Sequence, residues 1–291
     1  MKENMNGKIC LVTGGTNGIG KATAQALAQM GATVVIVGRD AQKAAQVSKE
    51  IQAATGNQNV DSLLADLSSQ QDIRRLAAEF KRKYSQLHVL INNAGGTFMT
   101  RQLSVDGIEM TFALNHLAYY LLTNLLLDTI KASVPARIIN VSSDAHSGGK
   151  IEFDNLQGER SYSGIGPYGN SKLANILFTT ELARRLAGTG VTVNALHPGL
   201  VSTGFGKNNP GLLMKIMGVI IPLIARSPEK GAETSLYLVS SPVVQNITGK
   251  YFVDCKVIQP ASQATDMVVA RELWDVSAEM VHLADARLEI A

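Results

Sequence analysis

The segment that most limits the fold is a short apolar run, Ile9-Cys10-Leu11-Val12, ending in a glycine-rich turn, Thr13-Gly14-Gly15-Thr16-Asn17-Gly18-Ile19-Gly20. Four apolar residues stopped by such a turn read as a buried strand, and the residues that follow, over 18–30, as a helix. A strand that passes straight into a helix cannot pair with its successor through a hairpin. It needs a crossover and a parallel partner.

The rest of the chain repeats that alternation. Thr33-Val34-Val35-Ile36-Val37 is a second strand rich in β-branched residues, and Asp40 caps a helix that runs to about 54. Further strands are expected over 60–65, 87–91, 137–141 and 191–196, with Tyr251-Phe252-Val253 as a seventh. Helices are expected over 73–84, 107–131, 167–186 and 231–239, with Pro167 suited to a first helical turn. Strands alternating with helices imply an α/β, doubly wound fold: a central seven-stranded parallel sheet with helices on both faces. At 291 residues and 45% apolar content the chain suits one large domain over 1–291. No internal repeat or linker marks a second.

Composition removes several function classes. A net charge of +3, with scattered Lys and Arg, gives no reason to expect nucleic acid. The five histidines have no ligand spacing, so no metal is expected. Cys10 and Cys255 are far apart and demand no oxidising compartment. The first six residues have no apolar core of a signal peptide, and the apolar run over 212–225 is broken by Lys215 and Pro222. It is short of the ~20 residues a membrane-spanning helix needs. A cytoplasmic location is the expectation.

In a doubly wound sheet the first strand-to-helix turn receives a pyrophosphate on backbone N–H groups. Gly14, Gly18 and Gly20 would allow that close approach. The end of the second strand selects the dinucleotide: an acid there binds the ribose hydroxyls of NAD, an arginine the extra phosphate of NADP. Gly38-Arg39 stands at that place and Asp40 is the helix cap, which favours NADP(H) over NAD(H) with Arg39 as phosphate partner. Farther along, Tyr168 and Lys172 are four residues apart on one helix face, with Ser142-Ser143 upstream. An ammonium near a phenol lowers its pKa from the usual ~10 and lets it exchange a proton with a substrate oxygen. Tyr162 is equally near the serines but has Gly166 four residues on.

Taken in order, Thr13 to Gly20, Asp66-Leu67, Asn92-Asn93-Ala94-Gly95, Asn115, Val141-Ser142-Ser143, Tyr168-x-x-x-Lys172, Asn194-Ala195-Leu196-His197-Pro198-Gly199 and Thr203 resemble the short-chain dehydrogenase/reductase family over nearly the full length. The resemblance implies a single Rossmann-type domain and a set of roles. Gly14, Thr16, Asn17, Gly18, Ile19 and Gly20 would form the phosphate turn. Asp66 would hold the adenine amino group with Leu67 beside it, and Asn93, Ala94 and Gly95 would line the groove. Tyr168 would be the general acid or base, while Lys172 would tune it and hold the nicotinamide ribose. Ser143 would bind the carbonyl oxygen, and Asn115 would hold a water linking Lys172 to solvent, or else simply mend a helix kink. Pro198, Gly199, Val201 and Thr203 would flank the nicotinamide.

Ser143 and Tyr168 are 25 positions apart, about twice the interval of compact members. The stretch over 147–156 and the run Tyr168-Gly169-Asn170-Ser171-Lys172-Leu173-Ala174-Asn175 resemble the retinol dehydrogenase and WW-domain oxidoreductase branch. That branch implies NADP(H) and lipophilic aldehydes or alcohols. Its usual N-terminal membrane anchor has no counterpart in this sequence, so retinoid specificity is not carried over. The expected activity is reversible reduction of a lipophilic aldehyde or ketone to its alcohol. An apolar lid is expected over about 204–227, with fixed packing or a membrane-surface helix as the other readings of Leu212-Leu213-Met214. The rival from another class is a catalytically silent NADP(H)-binding sensor or scaffold. A nucleotide-sugar epimerase needs more C-terminal sequence than this chain has. The helices over 107–131 and 167–186 could pair in a homodimer or homotetramer, or their apolar faces could be core.

Overall fold

A computed structural model describes residues 4–201 and 225–283. Eight strands form one sheet in the order β3-β2-β1-β4-β5-β6-β7-β8. They are β1 (Ile9–Thr13), β2 (Thr33–Gly38), β3 (Val60–Leu64), β4 (Val89–Asn92), β5 (Ala136–Val141), β6 (Val191–His197), β7 (Tyr251–Val253) and β8 (Lys256–Ile258). Among the described residues the helices are α1 (Gly18–Gln29), α2 (Ala41–Thr55), α3 (Gln70–Lys83), the single turn α4 (Met110–Phe112), α5 (Ala118–Lys131), α6 (Gly166–Arg185), α7 (Pro228–Ser240) and α8 (Met267–Met280).

The first seven strands are parallel, as expected, and β8 corrects the count: it returns antiparallel on β7, pairing Phe252 with Val257. Its hairpin turns at Asp254 (φ 48°) and Cys255 (φ 61°), two side chains in left-handed backbone where glycine or asparagine is the usual marker. The helix α8 is a second unexpected element. Asp266 caps it, accepting from the N–H groups of Val268 and Val269.

Successive strand residues feed opposite faces. Leu11, Val35, Leu90 and Ile138 join one core cluster, whereas Cys10, Val12, Val34, Ile91 and Ile139 join the other. Both faces are therefore covered, which is why the strands read as unbroken apolar runs. The helix expected over 107–131 is divided: α4 leads into a wide π-turn, Ala113–Leu117, before α5. The apolar faces of α5 and α6 lie in the core of this one chain, with Tyr120, Leu126, Leu177 and Leu182 fully buried.

Strand order reverses between β1 and β4, and a crevice opens there beyond the carboxyl ends of the strands. Among the described residues no helix is long and apolar enough to cross a membrane. Thr203 and all but the last three residues of the expected lid segment lie outside the described residues.

Candidate active site

At the end of β1 the chain turns through Gly14 (φ 65°) into α1. The Thr13 hydroxyl ties this turn to the end of β4, accepting from the N–H groups of Asn93 (2.8 Å) and Ala94 (3.0 Å). Asn93 Nδ2 donates back to the Thr13 carbonyl at 2.8 Å. A Cβ at Gly20 would stand 2.3 Å from the Gly14 carbonyl oxygen, so only glycine lets α1 start so close to the turn. Asn17, at the N-cap, makes no side-chain cap bond. The positive end of α1 is thus left facing the crevice, the arrangement that favours an anion.

Between these ends runs a groove of about 640 Å³. The phosphate-turn residues named from the sequence line one part of it, and Arg39, Asp66 and Leu67 line its far end. Arg39 is exposed and makes no ion pair or hydrogen bond among the described residues. Asp66 is held by Ser68, whose N–H (2.9 Å) and hydroxyl (2.7 Å) both donate to its Oδ1. A glycine cradle, an uncapped helix start and a free guanidinium in one elongated groove fit a phosphate-bearing dinucleotide.

The other end of the groove is built from side chains. Ser143, Tyr168 and Lys172 line it with Asn93, Ala94 and Gly95. Lys172 is only 3% exposed; its Nζ donates to the Val141 carbonyl at 3.1 Å and lies 5.5 Å from the Tyr168 ring centre. Ser142 donates to the Lys172 carbonyl at 2.7 Å, so it braces α6 against β5, while Ser143 stands close enough to the Tyr168 phenol to favour its ionised form. Of the two serines, Ser143 is the one beside the phenol.

Burial governs the charges here. It pushes the Tyr168 phenol up to about 12, opposed by the nearby Ser143 hydroxyl, and brings Lys172 down to about 7. In the chain alone, burial thus outweighs the downward tuning of the phenol expected from a nearby ammonium, and it shifts both groups toward their neutral forms.

Asn115 does not line the groove; it lies fully buried in the π-turn behind it. Its Oδ1 accepts from Gly96 N–H (2.8 Å), and its Nδ2 donates to the Gly96 carbonyl (2.9 Å) and the Ser171 hydroxyl (3.0 Å). It joins the β4 loop to α6 through a local widening of the helix, a feature frequent at functional sites. On the opposite side, Pro198, Gly199 and Val201 line the groove after β6. Arg226 steadies that segment: its N–H donates to the Leu200 carbonyl at 2.8 Å and its guanidinium pairs with Asp254.

Tyr162 is excluded from the cluster, since its hydroxyl is shared between the Phe98 carbonyl (2.8 Å) and Glu109 Oε1 (3.0 Å). Phe98, Leu114, Asp144, His197 and Leu200 line the groove without having been singled out from the sequence. Phe98 and Leu114 flank Gly96, where a Cβ would meet their side chains at 3.4 and 3.5 Å. They form an apolar wall that only tertiary packing assembles. His197 did have a local signal, standing immediately before Pro198-Gly199; its Nδ1 accepts from Asp144 N–H at 3.2 Å, and burial lowers its pKa.

A strand order reversing at such a groove defines a nucleotide-dependent α/β protein, and comparison with known proteins gives the family. The short chain dehydrogenase family model matches residues 8–210. Human retinol dehydrogenase 11 is 46% identical over 277 residues, covering 95% of this chain and 86% of the relative. Human retinol dehydrogenase 14 is 44% identical over 294 residues, covering 96% and 88%. Among solved structures, an uncharacterized protein from Mycobacterium Paratuberculosis superposes with a TM-score of 0.78 at 30% identity, covering 97% of this chain and 96% of that one. The Pseudomonas aeruginosa RhlG/NADP active-site complex gives 0.68 at 28% identity, covering 87% and 97%. The chain belongs to the short-chain dehydrogenase/reductase family, in its retinol dehydrogenase-like branch. With that membership comes the general activity, oxidoreduction between an alcohol and a carbonyl with a nicotinamide cofactor.

Proposed function

We propose that this protein is an NADP(H)-dependent enzyme that interconverts lipophilic aldehydes or ketones and their alcohols, with Tyr168 as general acid in reduction and general base in oxidation. The observation that carries the reading is the placement of Tyr168 beside Ser143, with its ring centre 5.5 Å from the Lys172 Nζ, at one end of a groove whose other end presents Arg39. Bound there, the nicotinamide supplies or accepts the hydride.

The chain's own groups do the rest. The turn from Gly14 to Gly20 and the start of α1 would hold the pyrophosphate, Arg39 the additional phosphate, and Asp66 the adenine edge. Ser143 and Tyr168 would both donate to the substrate oxygen, where negative charge develops as the carbonyl is reduced. The Tyr168 proton would then pass to that oxygen. Lys172, anchored on the Val141 carbonyl, would hold the nicotinamide ribose and stabilise phenolate whenever it is itself protonated. The Asn115 side chain would act by fixing the Gly95-Gly96 loop against α6, and the second lone pair of its Oδ1 or of its main-chain carbonyl would accept from a relay water.

Phe98 and Leu114 give the substrate end an apolar wall, which supports a lipophilic substrate. The names of the human relatives point the same way without naming this chain's substrate. The whole chain would act as one domain. The test is NADPH consumption over a panel of aliphatic, aromatic and terpenoid carbonyls with NADH as control. Turnover with several lipophilic members, faster with NADPH, is expected. Cofactor binding with no turnover on any member would favour the silent sensor instead.

A further inference from the structure

Behind Ser143 lies a buried histidine that the chemistry above does not use. His146 sits in the short 3-10 segment Asp144–Gly148, is 3% exposed and does not line the groove. Its Nδ1 is 2.8 Å from the Ser143 carbonyl oxygen, which can only accept, so this nitrogen carries the proton and donates. Its Nε2 is 3.1 Å from the Ala261 backbone nitrogen, which can only donate, so Nε2 accepts. Two backbone groups from distant parts of the chain thereby select one neutral tautomer. The ring also packs edge-on against Tyr251, with centroids 5.0 Å apart.

The same C-terminal strap grips the segment again through Gln263, whose amide donates to the Ser147 carbonyl at 2.9 Å and more weakly to those of His146 and Gly149. On its other side the segment presses on the start of α6. A Cβ on Gly149 would fall 2.6 Å from the Gly169 carbonyl oxygen, and one on Gly169 would fall 2.9 Å from that of Ala145. The residue next to Tyr168 is thus in direct contact with the turn that follows Ser143. Within this wedge the Ser143 hydroxyl accepts from Ala145 N–H at 3.2 Å and faces the same groove as the Tyr168 phenol.

We propose that His146 is a positioning residue. By tying the Ser143 carbonyl to the backbone of Ala261, it fixes the direction of the Ser143 hydroxyl relative to the Tyr168 phenol. A rigid ring with a donor and an acceptor on opposite edges spans two backbones in a way that a shorter side chain cannot. The proposal rests on the roles given above to Ser143 and Tyr168.

The test is steady-state kinetics on the full chain, with NADPH and the most active carbonyl of the panel, for His146→Leu, His146→Asn, Ser143→Ala and the Ser143→Ala/His146→Leu double variant. His146→Leu is expected to lower kcat about 10–100-fold, the scale of a small misplacement of a reacting group. The KM for NADPH should stay within about 2-fold, since no cofactor contact changes. His146→Asn keeps an N–H for the Ser143 carbonyl but loses Ala261, and should recover only part of the loss. In the Ser143→Ala background the leucine should cost less than about 2-fold more, the non-additivity of residues that act as one unit.

Losses that multiply in the double variant, or a KM for NADPH that rises as much as kcat falls, would overturn the proposal. Wild-type kcat in His146→Leu beside an impaired Ser143→Ala would sink the positioning role alone. Wild-type turnover in Ser143→Ala would instead remove the role of Ser143, and the proposal with it. If thermal melting shows that His146→Leu does not fold, His146→Gln takes its place: its amide oxygen reaches Ala261 N–H but releases the Ser143 carbonyl, and the same loss of kcat is expected.

Discussion

The two ends of the groove are built on different principles. The end beneath α1 is made of backbone: glycines, a helix start without a side-chain cap, and one exposed arginine at a strand end. The end beneath α6 is made of buried side chains whose charges are displaced by desolvation, Tyr168 up to about 12 and Lys172 down to about 7. The first can hold almost any pyrophosphate. The second constrains the chemistry, because a phenol and an amine kept from water respond strongly to each other and to whatever enters.

The difference can be broken experimentally from either end. The largest effect belongs to the side-chain end: Tyr168→Phe should lower kcat by about 10²–10⁴-fold, the usual worth of general acid–base help. NADPH affinity, read by fluorescence titration, should change only a few-fold, on the order of one lost hydrogen bond. Retained turnover would remove Tyr168 from catalysis.

The backbone end should respond in stability. Gly20→Ala places a Cβ against the Gly14 carbonyl and should lower the unfolding free energy by about 1–3 kcal/mol, as other forced contacts do. Denaturant titration would measure it, and an unchanged midpoint would mean the turn relaxes freely. Arg39→Ala should raise the KM for NADPH by roughly 10-fold while sparing that for NADH, as expected for one charge-assisted contact. Equal effects on both cofactors would refute the assignment to the extra phosphate.

The gentlest test is of pH dependence in the cofactor-free protein. Lys172 titrates near 7 when folded and near its ordinary 10.5 when unfolded, so between those values the unfolded chain binds more protons. Stability contributed by this group must therefore rise with pH across that window, by at most about 1.4 kcal/mol per unit. Lys172→Met should flatten the slope between pH 7 and 9 and raise stability at pH 7. An unaltered slope would mean that the lysine stays charged in the fold.

Legibility followed the same division. The turn from Thr13 to Gly20 and the β-branched strands announce themselves locally, because backbone geometry and two-sided burial leave marks on neighbouring residues. Seven parallel strands were readable for that reason. The antiparallel β8 was not, since Asp254 and Cys255 make its tight turn without the glycine that signals one. α8 has a local mark in its Asp266 cap, but it follows the last strand and so lies outside the strand–helix alternation. At the side-chain end, Tyr168, Lys172 and Ser143 were legible as a motif, but the burial that moves the Tyr168 and Lys172 pKa values is not a property of spacing. The π-turn that carries Asn115 and the wall formed by Phe98 and Leu114 come from packing between elements far apart in the chain.

The central claim is that a carbonyl placed against Tyr168 and Ser143 receives hydride from the nicotinamide while the phenol supplies the proton. The most direct measurement is a single-turnover reaction with NADPH carrying deuterium at the transferable C4 position, followed by mass analysis and NMR of the product. The account predicts one deuterium on the carbinol carbon for the wild-type chain and its near-absence, over the same time, for Tyr168→Phe. An alcohol product without that deuterium, or labelling at the wild-type rate in the phenylalanine variant, would contradict it.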